Sequence, residues 1–277
     1  MIYFVATPIG NLKDITYRAV ETLKEVDVIA CEDTRTSKVL LNHYDINTAK
    51  LISFHKFNEQ EVSNKIIDLA ESGKNVAIIS DAGMPVISDP GNCLTKKLVE
   101  RKINYTVIPG ANAGLSALLL SGLDCSNFYF AGFVPEKNTE RKNFLTELSL
   151  IKTTLVFYVA PHNLKKDLED FHKHFGEREV SVVKEITKLH ETSYNFVLGE
   201  KIAFSKDEEG LFIDTHGEFV VIVSGAKKEN SNLNEMTIVD HVKFYINLGL
   251  SKNDAIKKVA KERGVNKNTV YQEVLKL

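Results

Sequence analysis

The residues of this 277-residue chain that could do chemistry gather in a few short segments, one of which is ACEDTR, residues 30–35. An apolar run ends there in Glu32, Asp33 and Arg35, and charged side chains in such a place need water, each other or a substrate. Glu32 or Asp33 could act as a general base, and Arg35 could bind a phosphate through two hydrogen bonds. A cluster of surface ion pairs is the alternative interpretation.

A loop rich in glycine and proline, SDAGMPVISDPG, spans residues 80–91. Its Asp81 follows a predicted parallel strand, at the edge where ligands bind in open α/β sheets. Because unpaired buried carboxylates are costly, the loop predicts a binding site, with N-caps for the next helix as the alternative.

Two further segments follow predicted strands. IPGANAGLSALLLSGL, residues 108–123, places small residues early in a helix, where free backbone NH groups could hold a ligand's polar atoms. Near the N-terminus, YFVATPIGNL has Pro8 and Gly10 directly after a strand, which lets the backbone come close to a ligand. It contains neither a GxGxxG fingerprint nor a phosphate loop. Close packing and a plain turn are the alternative interpretations.

The eight histidines and three cysteines show no metal-ligand spacing. His55 and His162 stand at predicted strand ends, and Cys31, Cys93 and Cys125 form no CxxC pair. The sequence therefore predicts no metal site and no disulfide framework.

The hydrophobic pattern indicates the scaffold that positions these segments. Short apolar runs at 2–6, 26–31, 76–80 and 105–108 alternate with helical patterns, which favours a parallel sheet with crossover helices. One helix is expected to begin with Asp14 as its N-cap. Another is expected after Asn58, with Glu61 completing a capping box and Gly73 ending the helix.

A second α/β unit is predicted from strands at 128–133, 153–158, 179–184 and 218–223. Its helix should bury one face, formed by Leu164, Leu168, Phe171 and Phe175. We therefore predict an N-terminal α/β domain over 1–113 and a C-terminal α/β domain over 114–226.

A polar segment then precedes a helical extension over 236–277. Ser251 and Asn266 are expected to cap the two helices of a helix-turn-helix-like unit, with Gly264 between them. Its expected core is Ala260, Val265, Val270 and Val274. Residues 226–277 carry 10 Lys and Arg against 6 Asp and Glu, whereas the preceding residues carry 25 against 31. A basic module suggests a polyanionic partner, and a solvated lysine face is the alternative.

The composition favours a folded protein of the cytoplasm. The chain is 43% hydrophobic and 26% charged, with a net charge of −2. No apolar run approaches the length of a membrane span, and the first residues lack the features of a signal peptide. We expect a cytoplasmic location and no membrane partner.

Five motifs taken together resemble the tetrapyrrole methylase superfamily. They are VATPIGNLKDIT, ACEDTR, SDAGMPVISDPG, FYVAPHNL and KEITKLHE, and they follow in the right order between Met1 and about Ser224. Within that superfamily they are most similar to the enzymes that methylate a cytidine ribose 2′-hydroxyl in small-subunit (16S) ribosomal RNA. The C-terminal tail is similar to the helical extension of those enzymes.

The resemblance implies two α/β domains with S-adenosylmethionine bound in a cleft between them. It assigns the cofactor to Ile9, Gly10, Asp81, Ala82, Gly83, Met84, Ile87, Ser116, Ala117 and Tyr158. It also implies 16S ribosomal RNA, either free or in the small ribosomal subunit, as partner, and a homodimer.

A ribose hydroxyl is a poor nucleophile unless its proton is removed, so a carboxylate base is expected among Glu32, Asp33 and Glu185. The phosphate and sugar are expected to contact Arg35, His55, Asn58 and Lys188. The sequence departs from the family pattern at Met84, Ala111, Val159, Ala160 and Asn163. Substrate contacts are therefore expected to differ from those of relatives.

Two other hypotheses stay open at this point. One is a methylase of a tetrapyrrole or another non-RNA substrate on the same fold. The other is a non-catalytic regulator that binds nucleic acid through the extension, although the second predicted helix carries only Lys267 and Lys276 as cations.

Overall fold

The computed structural model describes residues 1–47, 49–226, 237–247 and 250–275. A five-stranded, entirely parallel sheet forms the first part of the fold, with strand order β3-β2-β4-β1-β5. The strands are β1 Ile2–Val5, β2 Val28–Cys31, β3 Lys50–Ser53, β4 Val76–Ile79 and β5 Tyr105–Ile108. The four predicted strands are therefore confirmed, and the short edge strand β3 is an addition.

Helices cover both faces of this sheet, as a parallel sheet requires. They are α1 Tyr17–Glu25, α2 Thr34–His43, α3 Glu59–Glu71 and α4 Asn92–Glu100, and a short 3-10 helix covers Leu12–Asp14. One buried cluster centres on Ile2, Val76 and Ile66, and the other on Val5, Ile29 and Leu23.

The predicted start of the first helix is wrong, and so is the predicted capping box of the helix after Asn58. Asp14 ends the 3-10 helix, Ile15 is extended, and Thr16 caps α1 by accepting a hydrogen bond from the NH of Ala19. Asn58 precedes α3 as predicted, but it makes no side-chain cap because its amide bonds within the preceding turn.

A second five-stranded sheet has the order β6-β7-β12-β8-β9. Only β6 and β7 run parallel, and the other neighbours are antiparallel. Its strands are β6 Phe128–Phe133, β7 Thr154–Val159, β8 Glu179–Lys184, β9 Thr192–Val197 and β12 Phe219–Val223, and β10 Ile202–Ala203 pairs with β11 Leu211–Phe212. The helices are α5 Ala113–Leu120, α6 Asn138–Leu148 and α7 Leu164–Phe175. The predicted apolar face of α7 is completely buried against this sheet, which confirms that part of the prediction.

An ion-pair network joins α6 to α7. The guanidinium of Arg141, only 5% exposed, donates to Asp167 and to Asp170, each at 2.6 Å. Burial of a charged group costs free energy unless the charge is paired, so this network must remain intact for the two helices to pack.

The two sheets lie in one compact unit, Met1–Gly225, and the second unit spans Ala226–Leu277. In the described part of the second unit there are three helices: α8 Ile238–Asn247, α9 Lys252–Arg263 and α10 Lys267–Leu275. Ser251 caps α9 and Gly264 ends it with φ of +64°, as predicted. The predicted core residue Val265 is 37% exposed, because α8, which was not predicted, supplies core residues in its place.

Buried His241 on α8 joins this helix to the end of α9 through polar contacts. Its Nδ1 accepts a hydrogen bond from Nε of Arg263 at 3.0 Å, and its Nε2 lies 3.2 Å from Glu262. Burial lowers the pKa of His241, which keeps the ring neutral. The predicted polar segment 227–235 and the cation Lys276 lie outside the described residues. Within those residues, no helix has the length and apolar character needed to cross a membrane.

Candidate active site

Three loops meet at the carboxyl edge of the first sheet, where β4, β1 and β5 are neighbours. The loops after β1 and β4 pair through Thr7 and Gly83, whose backbone groups exchange hydrogen bonds of 2.9 and 3.1 Å. The Thr7 hydroxyl also donates to the Ser80 carbonyl at 3.2 Å. Gly83 has φ of +81°, and a Cβ there would lie 3.1 Å from Cγ2 of Ile9. Glycine is thus required where the two loops touch.

A cavity of about 350 Å³ opens between these loops and the ends of β7 and β12. Six of the predicted cofactor residues line it: Ile9, Ala82, Gly83, Met84, Ile87 and Tyr158. The second domain contributes most of the remaining wall, including Phe133 and Val220. The volume of the cavity falls in the usual range for small-molecule sites, about 300–1,000 Å³.

Four predicted cofactor residues do not line the cavity: Gly10, Asp81, Ser116 and Ala117. Ala117 is completely buried between α5 and the second sheet, so it supports the wall from behind. Ser116 lies half-buried in the first turn of α5. Gly10 instead permits contact between the domains, because a Cβ there would lie 2.6 Å from Cγ of Lys188.

Aromatic rings form one side of the cavity. The ring of Tyr158 meets Phe130 and Phe133 edge to face, with centroid distances of 5.1 and 5.6 Å. Its hydroxyl accepts a hydrogen bond of 3.3 Å from the NH of Gly114, at the start of α5. Burial raises the pKa of this hydroxyl, so Tyr158 stays neutral near pH 7.

Asp89 and Glu218 are carboxylate residues of the cavity wall that were not predicted from the sequence, and Asp89 has the more unusual surroundings. Burial, followed by the nearby carboxylates of Glu32 and Asp81, raises its pKa to about 6, and the Ser80 hydroxyl opposes this rise. A carboxyl group with such a pKa can exchange a proton near neutral pH. The available signal was the second aspartate of SDAGMPVISDPG, next to Pro90.

The carboxylates after β2 differ in character. Burial and the charge of Asp81 raise the pKa of Glu32. Asp33, in contrast, caps α2 and accepts hydrogen bonds from the backbone and guanidinium of Arg35 at 2.7–3.2 Å. The Arg35 side chain holds the pKa of Asp33 at about 2. So weak a base removes protons poorly, which argues against the predicted general-base role of Asp33. Asp33 is the N-cap of α2, a helix that was not predicted from the sequence.

His55 and Asn58 belong to a turn that follows β3. The amide of Asn58 accepts from the NH of His55 at 2.8 Å and donates to the carbonyl of Ser53 at 3.1 Å. Within the described residues, the buried Nδ1 of His55 has no hydrogen-bond partner. Just beyond the turn, Glu59 accepts hydrogen bonds from the NH groups of Gly91 and Cys93 at 2.9 and 2.8 Å. The turn is therefore tied to the loop that carries Asp89.

Glu185 and Lys188 lie on the second domain, facing the first loop. Lys188 donates to Glu185 and to Glu218, each at 2.9 Å, and the NH of Glu218 donates to Glu185 at 2.8 Å. Burial alone would raise the pKa of Glu185, but these hydrogen bonds lower it overall. The NH of Asn11 donates to the Thr187 hydroxyl at 3.1 Å, which joins the two domains beside the cavity. Within the described residues, no group of three or more His, Cys, Asp or Glu side chains is placed to hold a metal ion.

A cavity at the carboxyl edge of a parallel sheet, lined on its other side by a second α/β domain, places the chain in the class of two-domain α/β proteins with a candidate small-molecule site between the domains. Residues 1–202 match the model of the family described as tetrapyrrole (corrin/porphyrin) methylases. The chain therefore belongs to the tetrapyrrole methylase family, which confirms the family and the fold predicted from the motifs.

Individual members of the family show which proteins this chain is similar to. Over 274 residues the chain is 43% identical to the ribosomal RNA small subunit methyltransferase I of Halalkalibacterium halodurans, covering 98% of this chain and 93% of that protein. It is 40% identical over 276 residues to the protein of the same name from Bacillus subtilis, covering 98% and 92%. The crystal structure of uroporphyrin-III-C-methyltransferase from Thermus thermophilus has a TM-score of 0.55 and 18% identity, covering 84% of this chain and 96% of that one. At that identity, the structural likeness concerns the fold alone.

Proposed function

We propose that the protein transfers a methyl group from S-adenosylmethionine to the ribose 2′-hydroxyl of a cytidine in 16S ribosomal RNA. The observation that carries the proposal is 43% identity, over 98% of the chain, to a protein named ribosomal RNA small subunit methyltransferase I. The motif resemblance supplies the finer points, the cytidine ribose and the methyl donor.

The residues of the cavity fit this donor chemically. Aromatic faces attract cations, and Tyr158 and Phe133 stand in the wall together with the carboxylates of Asp89 and Glu218. Such a wall suits a ligand that combines a positive sulfonium with a flat base. When bound, the donor supplies an electrophilic methyl group; Ile9, Met84 and Tyr158 would hold it.

The reaction forms an oxygen–carbon bond and breaks a sulfur–carbon bond, and the hydroxyl proton must go to a base. Alignment of the reacting atoms supplies much of the rate, and proton removal contributes about 10²–10⁴-fold. We assign the base to Asp89, because it lines the cavity and its pKa is about 6. Glu32, one of the three bases predicted from sequence, tunes Asp89 by raising its pKa.

The four residues predicted to contact RNA differ in how firmly other residues of the protein already hold their side chains. Arg35 is exposed and can reach a phosphate while it stays paired with Asp33. His55 and Asn58 position the turn after β3, and Lys188 is bound to two carboxylates. We propose that Arg35 makes the phosphate contact. The basic three-helix unit, with exposed lysines along α9, provides a second RNA-binding surface.

The homodimer also remains part of the proposal. Two edge strands and the helix between them leave a row of large apolar side chains exposed, which we call the β5–α5–β6 surface: Tyr105, Val107, Leu115, Leu119, Leu120, Phe128, Tyr129 and Phe133. Exposed apolar rows on edge strands are typical of protein interfaces, and a second copy would cover both strands. Light scattering coupled to size exclusion measures the mass, and Leu119→Lys should shift a dimer to a monomer.

The test of function is transfer of labelled methyl from S-adenosylmethionine to ribosomal RNA from cells that lack this protein. Free 16S RNA and assembled small subunits are offered separately, and the product is digested and mapped by mass spectrometry. We expect a single 2′-O-methylcytidine. Asp89→Asn should lower kcat at saturating donor about 10²–10⁴-fold.

Other outcomes would point elsewhere. Methylation of a porphyrinogen but not of RNA would support the tetrapyrrole alternative, and binding to duplex DNA without methyl transfer would support the regulator. Failure to label RNA in any assembly state would contradict the proposed function.

A further inference from the structure

Phe57 is 95% exposed, although a phenylalanine ring normally stabilises a protein by being buried. It lies in the turn after β3, between His55 and Asn58. The NH of Asn58 donates to the carbonyl of His55 at 3.0 Å, and the Asn58 side chain bonds both ends of the turn. The ring is therefore held out toward solvent by an ordered turn.

The turn stands at the rim of the candidate active site. Glu59, two residues further on, binds the backbone of Gly91 and Cys93 and so ties the turn to the Asp89 loop. Since β3 is two strands away from β4 in the sheet, the ends of these two strands lie about 10 Å apart, at about 4.8 Å for each strand. A nucleotide at Phe57 would thus flank the one in the cavity.

The surroundings of Phe57 favour RNA over a second copy of the chain. Exposed Lys56 precedes it, and Arg35, whose side chain is 90% exposed, follows the neighbouring strand β2. The β5–α5–β6 surface includes the opposite edge strand of the same sheet, so Phe57 is not continuous with it. An aromatic ring beside cations is the usual means of binding unpaired RNA bases.

We propose that Phe57 is a stacking platform for a base of single-stranded RNA next to the target nucleotide, with Arg35 contacting the adjoining phosphate. This inference rests on the proposed function and names how its substrate is held. Stacking on an aromatic ring tolerates any base, so Phe57 contributes affinity and registers the strand, while the cavity selects the nucleotide.

A kinetic test compares Phe57→Ala with wild type on the RNA species that accepts methyl. The KM for RNA should rise about 5- to 150-fold, the loss typical of one stacked base, with kcat at saturating RNA and donor affinity unchanged. Phe57→Tyr should retain the wild-type KM. Val99→Ala is the matched control, because Val99 is 62% exposed near the end of α4, at the opposite end of the strands.

A second test uses the absence of tryptophan from the chain. In Phe57→Trp the single indole reports on its own surroundings, and stacking against a base should quench its fluorescence as RNA is added. Val99→Trp should show no such change. The salt dependence separates the two contacts: Arg35→Gln should reduce the slope of log affinity against log salt by about 1, and Phe57→Ala should leave it unchanged.

The results can overturn this inference without touching the proposed function. If the wild type methylates RNA while Phe57→Ala keeps its KM, or if the indole of Phe57→Trp is not quenched by RNA, Phe57 is not a platform. If Phe57→Ala changes the oligomeric state of the protein in solution but not its KM, Phe57 belongs to a protein contact instead. Absence of methyl transfer by the wild type would contradict the proposed function itself.

Discussion

The ionised carboxylate of Asp89, the proposed base, should reduce the stability of the folded protein at neutral pH. Its pKa rises from 3.8 to about 6 on folding, because burial and neighbouring carboxylates disfavour the ionised form. At 1.36 kcal/mol for each pH unit, ionised Asp89 destabilises the fold by at most about 3 kcal/mol. Partial access to water reduces this to about 1–2 kcal/mol. Asp89→Asn, which keeps the shape and removes the charge, should therefore stabilise the protein at pH 7.5.

The sign of the pH dependence makes the prediction specific. Between pH 4 and 6 the folded state binds more protons at Asp89 than the unfolded state does, so wild-type stability falls as pH rises through this window. The advantage of Asp89→Asn should be absent near pH 4 and complete above pH 6.5. Thermal unfolding at several pH values should show a gain of about 2–8 °C at pH 7.5, at about 2–4 °C for each kcal/mol. Equal or lower melting temperatures for the variant at every pH would refute the reasoning.

Three further predictions concern Glu32, Gly83 and Arg141. The pH profile of kcat should have an acidic limb with a midpoint near 6, and Glu32→Gln should move this midpoint to lower pH, since it removes a charge that raises the pKa of Asp89; an unmoved limb would argue against coupling. Gly83→Ala should weaken donor binding in calorimetry and destabilise by about 1–2 kcal/mol, because φ is +81° there. Arg141→Met should lower the free energy of unfolding in urea by about 3–5 kcal/mol, since it leaves the buried carboxylate of Asp167 and the half-buried one of Asp170 without their partner. Lys137→Met, which removes an exposed pair on the same helix, should change it by less than about 1 kcal/mol.

Much of the fold could be predicted from sequence because the central strands β1, β2 and β4 are apolar and almost completely buried. The runs at β1, β2, β4 and β5 are short, apolar and separated by helical periodicity, so their existence was clear. β3 was not predicted because two of its four residues, the exposed Lys50 and Ser53, are polar, which leaves too short an apolar run. The antiparallel arrangement of β8, β9 and β12 also could not be read locally, since pairing direction depends on the connections rather than on the strands.

The candidate site divides in the same way. The glycine and proline loops were recognisable because close approach of backbones leaves a compositional trace, as at Gly83. The different roles of Asp33 and Asp89, by contrast, could not be recognised from the composition of their segments. One carboxylate caps a helix beside an arginine and the other lies in a cavity wall, and only the surroundings of each side chain decide which is the better base. Ala117 shows the reverse case, a residue in the right segment that points into the core.

The loop that carries Asp89 is held from both sides before any ligand arrives. The Thr7–Gly83 pair fixes its beginning, and the two hydrogen bonds to Glu59 fix its end. Ordering a backbone costs about 1–2 kcal/mol for each residue, and here that cost is met during folding. Binding energy is then available for the ligand itself, as in other preorganised sites. We therefore expect association to be governed by access through the cavity mouth, with no slow phase for loop closure.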